Sequence, residues 1–288
     1  VRPSGEAEAE TPAPVVDAAD VATNEVFFGA DVVPFLGTSI RSRGYATRRL
    51  SLNLLVGFDG GLNGFELGGL ANIHRGNVRG VQVAGIMNAN GGSLRGVQLS
   101  SGLNYVGGNA LGAQLSDVNI VRGILHGAQL GTANYVGGDL DGVQLAVGNL
   151  TRGALEGAQL GTINYAGSVR GLQLGVLNIT GGELHGLQLG TVNIARGRGG
   201  VQVGLVNVSN DADFAFGLLN IVRNGRTQIE ITSTDAGFVF AAVKHGGRHF
   251  HSIYSVGARA SRDEPVGAIG LGFGAVSYTH LRAHETVL

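Results

Sequence analysis

The chain has 288 residues, with 20 Lys+Arg against 21 Asp+Glu, 51 glycines and no cysteine. Balanced charge lacks the basic footprint of a nucleic-acid binder, and without cysteine neither disulfides nor thiol chemistry enter. No apolar run is long enough for a membrane-spanning helix, and glycine, far above its usual share of about 7% but without a collagen triplet, must serve turns and close backbone approach.

Residues 1–24 are rich in Ala, Pro and acid and poor in large apolar groups, the composition of a flexible leader. The chain opens on Val1 rather than Met and reads as lacking its start, with a signal peptide among what is lost. Residues 25–63 carry two strand-like runs that read as an N-terminal cap, Val26 to Leu36 and Arg48 to Phe58. In the second, Leu50, Leu52 and Leu54 alternate with Ser51 and Asn53. The loop between them holds Arg41, Arg43, Arg48 and Arg49, which reads as a solvated turn, with anion binding as the sharper alternative.

From residue 64 to about residue 222 one phrase, Gly–apolar–Gln–apolar followed by a lone Asn, recurs at Gly64, Gly80, Gly96, Gly112, Gly127, Gly142, Gly157, Gly171, Gly186 and Gly200. Its third position is Glu66 and then Gln82, Gln98, Gln114, Gln129, Gln144, Gln159, Gln173, Gln188 and Gln202. The Asn falls at Asn72, Asn88, Asn104, Asn119, Asn134, Asn149, Asn164, Asn178, Asn193 and Asn207, with an echo at Asn220. Self-similarity at a period of 14–16 residues is the mark of a stacked array.

The apolar pattern changes phase within each repeat. Leu187 and Leu189 lie two apart, as do Val192 and Ile194, but the two pairs are out of step. The break at Gly190–Thr191 predicts a corner. The expectation is an all-β chain, a β-solenoid (parallel β-helix-like) of ten to eleven coils, each with three short faces and about five inward aliphatic side chains. On that alternation the Gln residues point outward as a polar strip. The Asn residues also fall outside, at a corner or close backbone contact, and both sets stack into amide ladders. The alternative fold is an up-and-down β-barrel built from the repeat strands.

Residues 223–276 read as a C-terminal β-hairpin cap, folded at His245-Gly246-Gly247-Arg248. Residues 277–288 share no pattern with the rest, resemble translated sequencing adapter and are set aside, with the true C-terminus expected to be missing.

Candidate chemistry is sparse. His245, His249 and His251 form the densest set of metal-type ligands, with no fourth partner nearby. His74, His126 and His185 lie at repeat edges and read as solvated. The residues just before each Gly (Arg79, Arg95, His126, Asp141, Glu156, Arg170, His185) form an edge of mixed sign. Asp139, Asp141 and Glu156 resemble acid/base carboxylates with no implied pocket. Sequons at Asn149, Asn178 and Asn207 arise from the repeat's own Asn. Glycines 270, 272 and 274, and 197, 199 and 200, lack the strand–loop–helix setting of a phosphate cradle.

The run from Ser51 to Asn72, SLNLLVGFDGGLNGFELGGLAN, followed by Gly–Val–Gln phrases, resembles a family of bacterial surface-repeat proteins, many described as lipoproteins. The resemblance spans about residues 26–276. It implies an exported, envelope-associated protein and carries no catalytic residues; the lipobox cysteine of a lipoprotein is not in this sequence. The expectation is a non-enzymatic envelope or surface repeat protein, a scaffold or binding module. It takes no cofactor or nucleic acid and leaves envelope proteins, glycans and the membrane as partner classes. The rival functions are an outer-membrane β-barrel and a carbohydrate-active β-helix enzyme.

Overall fold

A computed structural model describes residues 25–34, 36–38, 40, 43–247, 250–260 and 266–275. The expected leader, the tail 277–288, Arg41 and His249 lie outside them. Every regular strand or helix among the described residues is a strand. Two bodies result: a parallel β-solenoid of about 12 turns and an antiparallel four-stranded sheet at its C-terminal end.

In a typical coil a six-residue strand, Leu125–Leu130, is followed by a corner at Gly131–Thr132. A four-residue strand, Ala133–Val136, then leads to a turn at residues 137–139. Each coil therefore has two strands and a short turn, where the sequence pattern suggested three faces. The corner falls where the phase break placed it. Pairing is parallel and in register: Gly127 lies against Gly112 and Gly142, Gln129 against Gln114 and Gln144, and Asn134 against Asn119 and Asn149. Parallel partners about 15 residues apart exclude the hairpin barrel for the repeats, since an up-and-down barrel pairs its strands antiparallel.

The expected N-terminal cap belongs to the same stack. Glu25–Val33 pairs parallel with Thr47–Asn53, and Thr47–Asn53 with Gly61–Gly68, so these strands are the first coils.

The main correction concerns which face is inside. Gln82, Gln98, Gln114, Gln129, Gln144, Gln159, Gln173, Gln188 and Gln202 are all at 0% exposure, and the Asn column from Asn72 to Asn220 is buried as well. The aliphatic neighbours expected inside face out: Leu189 is 40% and Leu145 48% exposed. Each coil turns inward one aliphatic residue before the Gly (Leu125, Leu140, Leu155, Leu184), the Gln, the Asn, and a smaller residue two positions after the Asn (Val121, Val136, Thr151, Ala166). The Gln and Asn columns repeat one side chain from coil to coil, while the flanking inward columns vary in size, as at Leu94, Ala110 and Leu125. Parallel stacking gives the amides within the Gln and Asn columns twins above and below, which removes the usual cost of burying them.

The phrase-opening glycines from Gly64 to Gly171 lie within strands rather than at corners, in a backbone conformation of positive φ that brings them against the coil before. Gly142 has φ 143° and a Cβ built on it would stand 1.9 Å from the Gly127 carbonyl oxygen; Gly112 and Gly127 repeat the arrangement one coil at a time. Only glycine fits there.

The C-terminal sheet, Arg226–Ser233, Val239–Gly246, Phe250–Arg259 and Val266–Ala275, confirms the expected hairpin after His245. It covers the last coil, which would otherwise expose a bare edge. Phe250 packs on Phe214 at 4.7 Å between ring centres, and Phe273 on Phe216 at 4.9 Å. Tyr254 O–H donates to the Leu218 carbonyl at 3.0 Å, and Val222 N–H donates to His245 Nε2 at 3.0 Å.

Candidate functional site

The interior of the solenoid holds its most organised chemistry. Each Asn donates from Nδ2 to the Asn of the next coil, as in Asn88 to Asn104 Oδ1 at 3.0 Å, and to a backbone carbonyl, Leu99 O at 2.8 Å. The second bond fixes which way the amide points. Each Gln donates the other way, from Nε2 to the preceding coil: Gln98 to Gln82 Oε1 at 3.0 Å, and so on to Gln202 on Gln188 at 2.8 Å. The two ladders therefore carry opposed amide dipoles inside one stack.

Both ladders converge at the N-terminal end on Glu66. Its Oε2 accepts from Gln82 Nε2 at 2.9 Å and its Oε1 from Asn53 Nδ2 at 2.9 Å. Asn53 also donates to Asn72 Oδ1 at 3.1 Å, and so starts the Asn ladder. Gly57 stands opposite Asn72 in the stack, where a Cβ would collide with the Asn53 amide. At the far end, Asn220 Nδ2 donates to Ser252 Oγ at 2.7 Å, so the C-terminal sheet caps that ladder.

The first coils are ionic where later coils are apolar. Arg48 occupies the column of Leu62, Val78 and Leu94, and pairs with Asp31 at 2.6 Å and Asp59 at 2.9 Å. His74 Nε2 lies 2.6 Å from Glu66 Oε2. Asp59, His74 and Asn90 stack in the column that Val106, Val121 and Val136 then fill. All are buried. His74 was expected to be solvated at a repeat edge. It faces inward because it sits two positions after Asn72, where strand alternation returns to the interior.

Burial raises the Asp59 carboxyl beyond what the Arg48 and His74 charges recover, to about 7. Burial also works against the charged forms of Glu66 and His74. Their mutual attraction and hydrogen bond, with the bonds Glu66 accepts from Gln82 and Asn53, outweigh it: Glu66 lies below the usual carboxylate value and His74 above the usual imidazole value. His74 Nδ1 and both carboxamide atoms of Asn90 have no hydrogen-bond partner among the described residues. Enclosed ion pairs of this kind anchor the ladders and present nothing to a substrate.

Other expected candidates are dispersed. His245 accepts from Val222 N–H and bonds Thr227 Oγ1 at 2.8 Å, so both ring nitrogens are used. It pairs with Ser252, while His251 pairs with Gly246 and Gly274, which puts the two histidines on opposite faces of the sheet. Among the described residues no three His, Asp or Glu are grouped to hold a metal. Among the described arginines of the loop, Arg48 is buried in its ion pairs and Arg49 pairs with Glu25 at 3.0 Å.

Asp139 Oδ1 accepts from Ala154 N–H at 2.7 Å, Glu156 pairs with Arg170 at 2.9 Å, and Asp141 lies 3.4 Å from His126. These carboxylates are spread along an exposed edge. The sequon residues Asn149, Asn178 and Asn207 are buried in the ladder, out of reach of glycosylation in the folded chain. Glycines 270, 272 and 274 lie in the last strand, and Gly199 and Gly200, with φ 80° and 81°, form a turn.

Compared with protein-family models, curated proteins and solved structures, the chain matches none of them.

Proposed function

We propose that this protein is a non-enzymatic structural scaffold of the bacterial cell envelope or surface, displaying its outer walls to a binding partner. The observation that carries the reading is the pair of continuous ladders. The amides unchanged from coil to coil are spent on each other and on the backbone. What varies is the outer surface, as at the position occupied by Ala133, Gly148 and Ile163. Such a rod can change its surface without disturbing its interior. The resemblance of residues 26–276 to surface-repeat proteins supports the envelope location.

Protease treatment of intact producing cells tests the location. Loss of the chain from untreated-permeability cells supports surface display, and full protection with recovery in the cytosolic fraction contradicts it. Incubation with envelope polysaccharides tests the absence of catalysis. Release of shortened products would overturn the scaffold reading in favour of a carbohydrate-active enzyme; retention without cleavage supports it.

A further inference from the structure

The residues just before the phrase-opening glycines stack into one column along the exposed edge. In its later coils opposite charges meet: His126 lies 3.4 Å from Asp141, and Glu156 pairs with Arg170 at 2.9 Å. Arg79 and Arg95 break that rule. They are direct partners on adjacent parallel strands, about 4.8 Å apart along the stack, and both are exposed. Like charges placed directly opposite repel. Their column neighbours Asn63 and Leu111 are neutral, and neither arginine has a carboxylate within ion-pair distance among the described residues. From residue 67 to residue 116 the chain carries no Asp or Glu at all.

Beside the pair lies a cleft of about 230 Å³. Its polar side chains can all donate hydrogen bonds, and none is a carboxylate. Asn77 and Asn109 use their Oδ1 atoms to accept from the backbone N–H of Ser93 at 2.8 Å and of Ile124 at 2.9 Å, which leaves the Nδ2 protons of both for another partner. Ser93 adds a hydroxyl and His126 an imidazole. Leu111, 55% exposed, follows Arg95 in the column and gives the cleft one apolar side.

We infer that Arg79, Arg95 and this cleft form a binding site for the phosphate group of a phosphomonoester. A guanidinium fork meets phosphate oxygens two at a time. Two forks one strand spacing apart balance a dianion, and the amide and hydroxyl donors remain for its other oxygen. A carboxylate brings one charge and two oxygens, and so leaves one of the two arginines unmatched. Leu111 suits the carbon skeleton of an ester, which a bare ion lacks. A phosphorylated partner deepens the scaffold reading above; binding is measured on the purified full chain, so either can fail without the other.

Isothermal titration calorimetry with glucose 6-phosphate at low ionic strength, where surface charge is least screened, tests the site. The expected result is a Kd below about 1 mM. Arg79→Gln or Arg95→Gln should weaken it at least about tenfold with the far-ultraviolet spectrum unchanged, while Arg152→Gln, an exposed arginine outside the cleft, leaves it intact. No binding up to about 10 mM overturns the site. Equal weakening by Arg152→Gln also overturns it, because general attraction between charges then accounts for the binding. Tighter binding of glucuronate overturns the phosphate in favour of a carboxylate, and equal binding of inorganic phosphate overturns the ester. Flotation with phosphatidylcholine vesicles containing phosphatidate, without affinity for glucose 6-phosphate, overturns the soluble ester in favour of a lipid headgroup.

Nuclear magnetic resonance of the arginine Nε–H groups gives a readout on the unaltered chain. The Arg79 and Arg95 signals are expected to shift together on addition of glucose 6-phosphate. A shift confined to other arginines overturns the assignment.

Discussion

Glu66 Oε2 and His74 Nε2 lie 2.6 Å apart inside the solenoid, and the same carboxylate receives the first Gln of one ladder and the amide that starts the other. One buried ion pair thereby sets the direction of both hydrogen-bonded columns. Its pH dependence follows. His74, raised from 6.5, contributes stability fully below that value and loses it as pH rises through its folded value. Glu66, lowered from 4.5, contributes fully above that value and loses it as pH falls through its folded value. Stability from this pair is greatest between them.

Asp59 adds a slope of its own. Its folded value of about 7 against 3.8 means the native state holds a proton that the unfolded state releases. Stability therefore falls as pH rises from about 4 to about 7 and is flat above. At about 1.4 kcal/mol per unit the full effect is at most roughly 4 kcal/mol. Asp59→Asn is expected to flatten that decline and to melt above the parent at pH 8. Unchanged curvature in denaturant titrations at pH 5 and pH 8 would contradict the assignment.

Asn90 is a buried amide with no hydrogen-bond partner among the described residues, in a column that the next three coils fill with Val106, Val121 and Val136. Asn90→Val should stabilise the protein by about 1–3 kcal/mol, the cost of an unsatisfied buried polar group. A lower midpoint in urea would show that Asn90 has a partner after all.

Two glycines make a matched test of backbone strain. Gly142→Ala places a Cβ 1.9 Å from the Gly127 carbonyl oxygen at φ 143°, and the conformation alone costs roughly 1–3 kcal/mol. Gly148, in the neighbouring strand of the same coil, has nothing within 4 Å of its Cβ position, and adjacent coils carry Ala133 and Ile163 there. Gly148→Ala should be neutral or stabilising by up to about 1 kcal/mol. Thermal melts of the two variants should diverge; coincident melts would contradict the geometry.

The ladders can be cut separately. Gln159→Leu removes donors to Gln144 and to the Tyr165 carbonyl and an acceptor for Gln173, while Asn164→Leu removes donors to Asn178 and to the Leu174 carbonyl and an acceptor for Asn149. Both should destabilise, by about 1–3 kcal/mol per unsatisfied group. A urea midpoint equal to the parent's for either variant would contradict the buried ladder.

The repeat made the solenoid, its register and its corner legible from sequence, because parallel stacking places like on like. The inside–outside assignment was not legible by hydrophobicity alone. Leu187 and Leu189 were taken as core because burying aliphatic surface is the usual driving force. The better signal was constancy of residue. One apolar position holds Ala113, Ala128, Val143 and Leu172 in different coils, whereas the amide columns keep one residue from Gln82 to Gln202 and from Asn72 to Asn220. The ion pairs of the first coils were visible as exceptions, Glu66 among glutamines and His74 two positions after Asn72. The neighbouring ion pairs of Arg48 with Asp31 and Asp59 join three separate strands that only the stack brings together.

The central claim is that the amides are inside and the aliphatic rows outside. Hydrogen exchange of the Asn and Gln side-chain amides, followed by nuclear magnetic resonance on the native protein, tests it most directly. The carboxamide protons from Asn72 to Asn207 and Gln82 to Gln202 should be protected by orders of magnitude, those nearest the ends of the stack least. Exchange at the rate of free carboxamides along the array would place them on the surface and contradict the account.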